Sequence, residues 1–132
     1  MNQAARIEGM TKHLGARVLV SGDVAEALGD AYALRALGPM RAVGRDKPIA
    51  IVEVVAADPI GIREAKTRSR DRFGAGVALV HAKRFAEARE AFLALESEFT
   101  DDGPVAFFLA ACDDGLRGEA VVVDGAVVLN RK

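Results

Sequence analysis

The stretch Pro48 to Val55, PIAIVEVV, constrains this chain more than any other part of it. It is short, rich in β-branched residues and preceded by the polar turn Gly44-Arg45-Asp46-Lys47, so it reads as a strand. A strand is not stable alone; it needs hydrogen-bonded neighbours and an apolar layer over it. The fold must therefore contain a sheet. The turn predicts an antiparallel hairpin with the preceding stretch, Tyr32 to Val43, although Gly38-Pro39 argues against one uninterrupted strand there. Arg17-Val18-Leu19-Val20 reads as a further short buried strand.

Helical spacing accounts for most of the rest. Ala4, Ile7, Met10 and Leu14 share one face of a helix over 2–14, with Gly15 as its stop. Ser21 is placed to cap a short helix that has Asp23 in its first turn and ends near Gly29. Asp58-Pro59 opens another helix, whose start Gly61 weakens. The best amphipathic stripe is Phe85, Ala88, Phe92, Leu95 and Phe99, after a break at Ala82-Lys83-Arg84. A turn at Asp101-Asp102-Gly103-Pro104 starts the next helix, and residues 67–116 read as three packed helices. Asp124-Gly125, between two apolar runs, predicts a closing hairpin that must dock or fray.

Gly76, Ala88 and Phe92 fit the small, small and aromatic positions of a tetratricopeptide unit, and Ala110 follows Gly76 by the 34-residue period of that repeat. An ordinary helical hairpin with alanine-rich faces gives the same pattern. Either way, Phe92 is expected in the groove between two closely approaching helices.

Composition excludes several classes. A chain of 132 residues, 51% apolar and 28% charged, is globular and has room for one real core. Eighteen basic against nineteen acidic residues give a net charge of −1, without the positive field of a general nucleic-acid binder. The single cysteine, Cys112, excludes an internal disulfide and reads as a small buried hydrophobe. No apolar run approaches the roughly 20 residues needed to span a bilayer, and no signal peptide opens the chain. A soluble cytoplasmic protein that engages neither nucleic acid nor membrane is expected.

Few residues advertise chemistry. His13 and His81 stand alone, without a second ligand at metal spacing. Asp113-Asp114 reads as a frayed helix end, and Gly74 and Gly76 follow no strand and form no phosphate loop. The basic run Arg63 to Arg72, interleaved with Glu64 and Asp71, reads as a solvated helix face.

Asn2 and Arg6 acquire meaning from a resemblance. NQAARIEGMTKHLGARVLVSGDVAEAL, followed by LGPMRAVGRDKPIAIVEVV, resembles the closing third of a class III adenylate or guanylate cyclase catalytic domain over about residues 2–55. The matching features are Asn2 and Arg6 at a helix start, Ile7-Glu8, the strand Arg17 to Ser21, the short helix Val24 to Leu28, and the final strand pair with its Gly-Arg turn and following proline. The Phe-Ala-Glu-Ala helix and the closing hairpin are similar, more loosely, to the helical extension of many bacterial members. The resemblance implies an α+β fold: an incomplete ferredoxin-like cyclase segment over 1–57, then a tetratricopeptide-like helical extension over 58–132.

The family converts ATP to cyclic AMP and pyrophosphate at a dimer interface, with two metal ions, Mg or Mn, held by two aspartates. The resemblance implies that Asn2 orients the ribose and Arg6 stabilises the transition state, across the interface from those aspartates. Without it, Asn2 reads as a helix cap and Arg6 as a surface ion-pair partner. The family's metal aspartates, adenine-reading lysine and glycine-rich hairpin lie upstream of Asn2, so this chain is expected to be inactive alone and to hold no cofactor. ATP or GTP would be the substrate of the intact enzyme, and a homodimer or the rest of the catalytic domain its packing partner. The alternative is a noncatalytic module whose helices bind a protein.

Overall fold

A computed structural model of the chain describes the backbone over residues 3–41 and 47–129 and the side chains over 7–41 and 47–129. Among the described residues the fold is α+β, with a mixed five-stranded sheet and six helices. Helix α1 (Gln3–Leu14) buries Ile7, Met10 and Leu14, three residues of its expected stripe. Strand β1 (Leu19–Ser21) follows, and the Ser21 hydroxyl then accepts from the Val24 N–H at 3.3 Å to cap α2 (Gly22–Leu28). Gly29 closes α2 with φ +58°.

Strands β2 (Leu34–Arg41) and β3 (Ile49–Val54) are antiparallel, and β1 lies antiparallel on the other side of β3. Contrary to expectation, β2 runs through Gly38-Pro39. A register shift between Ala36 and Gly38 absorbs the irregularity. Gly38 takes φ +87°, and a Cβ there would meet His81 Cε1 at 2.7 Å, so only glycine suits this bulge. The proline falls just past it, where a missing N–H is tolerated.

After a 3-10 turn (Val55–Ala57), α3 (Ile60–Arg68) and α4 (Arg70–His81) meet at Ser69. Helices α4, α5 (Phe85–Glu98) and α6 (Gly103–Leu116) form the expected trio. Their centre is aromatic: Phe73, Phe92 and Phe108 are fully buried, with ring centroids 5.2–5.8 Å apart. A Cβ on Gly76 would sit 2.8 Å from the Phe92 ring, which gives the predicted close approach of α4 and α5. Ala110 is exposed, and Ala111 instead faces inward.

The tail hairpin docks. Asp124 and Gly125, at φ +51° and +80°, turn β4 (Val122–Val123) into β5 (Ala126–Val128). β5 then pairs parallel with β2 at Met40 and Arg41, giving the sheet order β1-β3-β2-β5-β4. One apolar cluster runs from Ile7 on α1 through Leu37 and Phe92 to Leu129. No helix among the described residues is long and apolar enough to cross a membrane.

Candidate functional site

The sheet and the helices meet across buried charge. In β3 the alternation that buries Ile49 and Ile51 also buries Glu53, and in β2 Arg35 lies on the same inward face as Leu37. Arg35 and Glu53 are cross-strand partners. The Arg35 Nε donates to Glu53 Oε1 at 2.9 Å, and its Nη1 and Nη2 donate to Asp102 Oδ2 and Oδ1 at 2.8 and 2.7 Å. Its guanidinium carbon lies 3.8 Å from the centroid of Phe73. Burial alone would lower the pKa of Arg35, but the hydrogen bonds to Asp102 and the charges of Glu53 and Asp102 outweigh it and hold the group above its ordinary value.

The network extends through α3. Lys66 Nζ donates to Glu53 Oε2 at 2.5 Å and to Asp58 Oδ2 at 2.8 Å. Asp58, expected to cap α3, is instead the ion partner of Lys66, and Pro59 occupies the cap position. Lys66, expected on a solvated face, is 3% exposed. Asp102 has two tasks: it grips Arg35, and its Oδ1 accepts the Val105 N–H at 3.4 Å to cap α6. Two buried cations face three buried carboxylates, a net −1, and the exposed Arg17 stands 3.6 Å from Asp58 at the rim as a third cation. Charges this deep are tolerated only when paired, as these are.

This arrangement holds structure together. Arg35 spends its fork on two carboxylates, and Lys66 Nζ is held by Glu53 and Asp58, so neither is a free nucleophile or base. Lys66, Asp58 and Arg17, with Thr11, Lys12 and Asp101, border an open cleft of about 430 Å³. Cys112 is buried, as expected, and burial pushes its thiol up to about 11, which makes it unreactive. His81 closes α4, its Nδ1 3.0 Å from the Val77 carbonyl and its Nε2 3.5 Å from that of Pro39, joining the helix to the β2 bulge. Asp113 and Asp114 do not fray: Asp113 pairs with Arg89 of α5 at 2.7 Å, and Asp114 pairs with Arg117.

Among the described residues no group of three or more His, Cys, Asp or Glu could hold a metal ion. The buried carboxylates do not fit the metal pair that the cyclase resemblance implies, because Arg35 and Lys66 already consume them. Asn2 lies outside the described residues. The backbone of Arg6 is in α1, while its side chain lies outside them. Sequence reasoning missed the charge network, although its signal was present: Glu53 occupies a core-face position in an apolar strand, and such a position demands a buried cation. No family model, curated protein or solved structure matches this chain.

Proposed function

We propose that this chain is the C-terminal portion of a class III nucleotide cyclase, with residues 1–57 closing the catalytic domain and 58–132 forming its helical extension. The observation that carries the reading is the order of elements behind Asn2 and Arg6. A helix, a short strand, a Ser-capped helix and an antiparallel strand pair follow one another as the resemblance requires, and β1 pairs onto β3. Asn2 and Arg6 are four positions apart in the sequence, the spacing at which two side chains of a helix address one nucleotide. Asn2 orients the ribose of ATP or GTP. Arg6 meets the charge that builds on the α-phosphate, for which a permanently charged guanidinium with several donors is suited. Mg or Mn, held by aspartates of the remainder of the enzyme, supplies Lewis-acid stabilisation when bound. The site is completed across a homodimer interface, and the product is a cyclic nucleotide signal.

The test uses a rebuilt full-length catalytic domain that ends in this segment. Arg6→Ala should lower kcat by roughly 10²-fold or more, the scale of losing one preorganised transition-state donor. KM for ATP should move far less, and Arg6→Lys should rescue only in part. The 132-residue chain alone, with ATP and Mn²⁺, should give background product. An intact kcat in the Arg6→Ala enzyme would refute the assignment.

A further inference from the structure

The helix that carries Arg6 ends against the start of α6. Gly15 follows α1 with φ +67°, and its N–H and that of Ala16 both donate to the Thr11 carbonyl, at 2.9 and 3.2 Å. That left-handed backbone already favours glycine. A second constraint is spatial. A Cβ on Gly15 would lie 2.8 Å from Gly103 Cα, and a Cβ on Gly103 would lie 2.0 Å from the Gly15 carbonyl oxygen. Main chain therefore rests on main chain, with no side chain between them to absorb a displacement. One residue before Gly103, Asp102 grips Arg35 of β2 through two hydrogen bonds in the buried network. The Asp102–Gly103 corner thus touches α1 with its backbone and the sheet with its charge.

We propose that this corner is a positioning contact that couples the helical region to α1, setting the axial place of the helix and hence of Arg6. Its consequence for turnover rests on the cyclase reading above; the contact itself does not. Arg6 lies nine residues before Gly15, about 13 Å along the helix. A helix transmits a shift at one end to the other, and a close-packed core does not dissipate it. Gly15 and Ala16, on the α1 side of the corner, also line the open cleft bordered by Lys12, Arg17 and Asp101. Anything that moves the start of α6 moves α1.

The test begins with this chain, Gly103→Ala, read by amide resonances and hydrogen exchange. The Gly15 and Ala16 signals should shift, and α1 amides should exchange about tenfold faster or more while α4 and α5 keep their rates. Gly115→Ala is the control at the opposite end of α6, where an added Cβ would strike the Phe85 ring at 2.5 Å. It should disturb α5 and α6 and leave Gly15 and Ala16 in place. If Gly103→Ala does not fold, Asp102→Asn decides: asparagine still caps α6 but gives up the charge on Arg35, and it should move the same α1 signals. Unmoved Gly15 and Ala16 signals in a folded variant overturn the proposal, as do equal α1 effects from Gly115→Ala. In the rebuilt cyclase, Gly103→Ala should lower kcat about 10- to 100-fold with little change in KM, the scale of a small misplacement of a catalytic group. An α1 shift in the chain with kcat unchanged would overturn the link to Arg6 and leave the contact standing.

Discussion

The interior of the helical region and the seam that joins it to the sheet bury their residues by opposite means. Between α4, α5 and α6 the contacts are aromatic rings against glycine and alanine: Phe73, Phe92 and Phe108, with Gly76 and Ala88 opposite. At the seam they are Arg35, Glu53, Lys66, Asp58 and Asp102, all under 10% exposed. The hydrophobic drive that buries the rings carries no direction of its own. A bidentate guanidinium–carboxylate pair does, because two parallel hydrogen bonds fix distance and angle together. The helical trio thus gains stability from an apolar core it shares with the sheet, and the buried ion network adds directional bonds that fix its angle on the sheet.

Breaking the seam should have the largest effect. Arg35→Met leaves Glu53 and Asp102 buried with no guanidinium and removes the stack on Phe73, so unfolding in denaturant should show a loss of about 3–5 kcal/mol or no folded protein at all. A loss below about 1 kcal/mol would mean that the two carboxylates reach water in the variant and that the seam is not a sealed unit.

The aromatic core should follow closely. Phe92→Ala empties the groove between α4 and α5 and should cost about 3–5 kcal/mol by the same measurement. Gly76→Leu attacks that groove from the other side and should be harmful too, by about 1–3 kcal/mol of overpacking, since its side chain must enter space the Phe92 ring holds. The two kinds of variant should differ in character. Phe92→Ala loosens the trio itself, whereas Arg35→Met frees it from the sheet.

Cys112 reports on that difference. Its thiol is buried and pushed up to about 11, so at pH 8 on the order of one in a thousand would be ionised even if a reagent could reach it. Alkylation of the native chain should therefore be slow and limited by opening. Phe92→Ala should accelerate it, because Cys112 sits in the same cluster as Phe92 and Phe108. Equal labelling rates in the two proteins would show that α6 opens independently of the aromatic core.

The core was more legible than the seam. Phe92, Gly76 and Ala88 announce their packing through helical spacing, a signal confined to one stretch of chain. The hairpin turn at Asp124-Gly125 is equally local, whereas its destination is not: parallel pairing with β2 joins residues more than eighty positions apart and leaves no local trace. Glu53 stood in plain view on the inward face of β3, marked as buried but silent about its partner. Lys66 lies among Arg63, Arg68, Arg70 and Arg72, and nothing within that basic run separates the one buried cation from those outside. Gly38-Pro39 misled because local rules treat the pair as a strand breaker, while tertiary packing against His81 turns it into a bulge.

The smallest effect belongs to a charge pair of the same chemistry outside the seam. Arg72 donates to both carboxylate oxygens of Glu98, yet both side chains are about half exposed. The hydrogen bond from Arg72 holds the Glu98 carboxyl below its ordinary value. A carboxyl lowered in the folded state stabilises above its unfolded pKa, and that contribution fades as pH falls through the folded value. Arg72→Ala should therefore leave the unfolding midpoint at pH 7 nearly unchanged and slightly flatten the decline of stability in the acid range. High salt should erase even that difference between Arg72→Ala and the parent, because screening acts fully on exposed charges. The Arg35→Met deficit should persist in the same salt, since the ions cannot enter the seam. If salt removed both deficits alike, the seam would be no more buried in solution than the surface pair, and its role in fixing the place of the helices would fall with it.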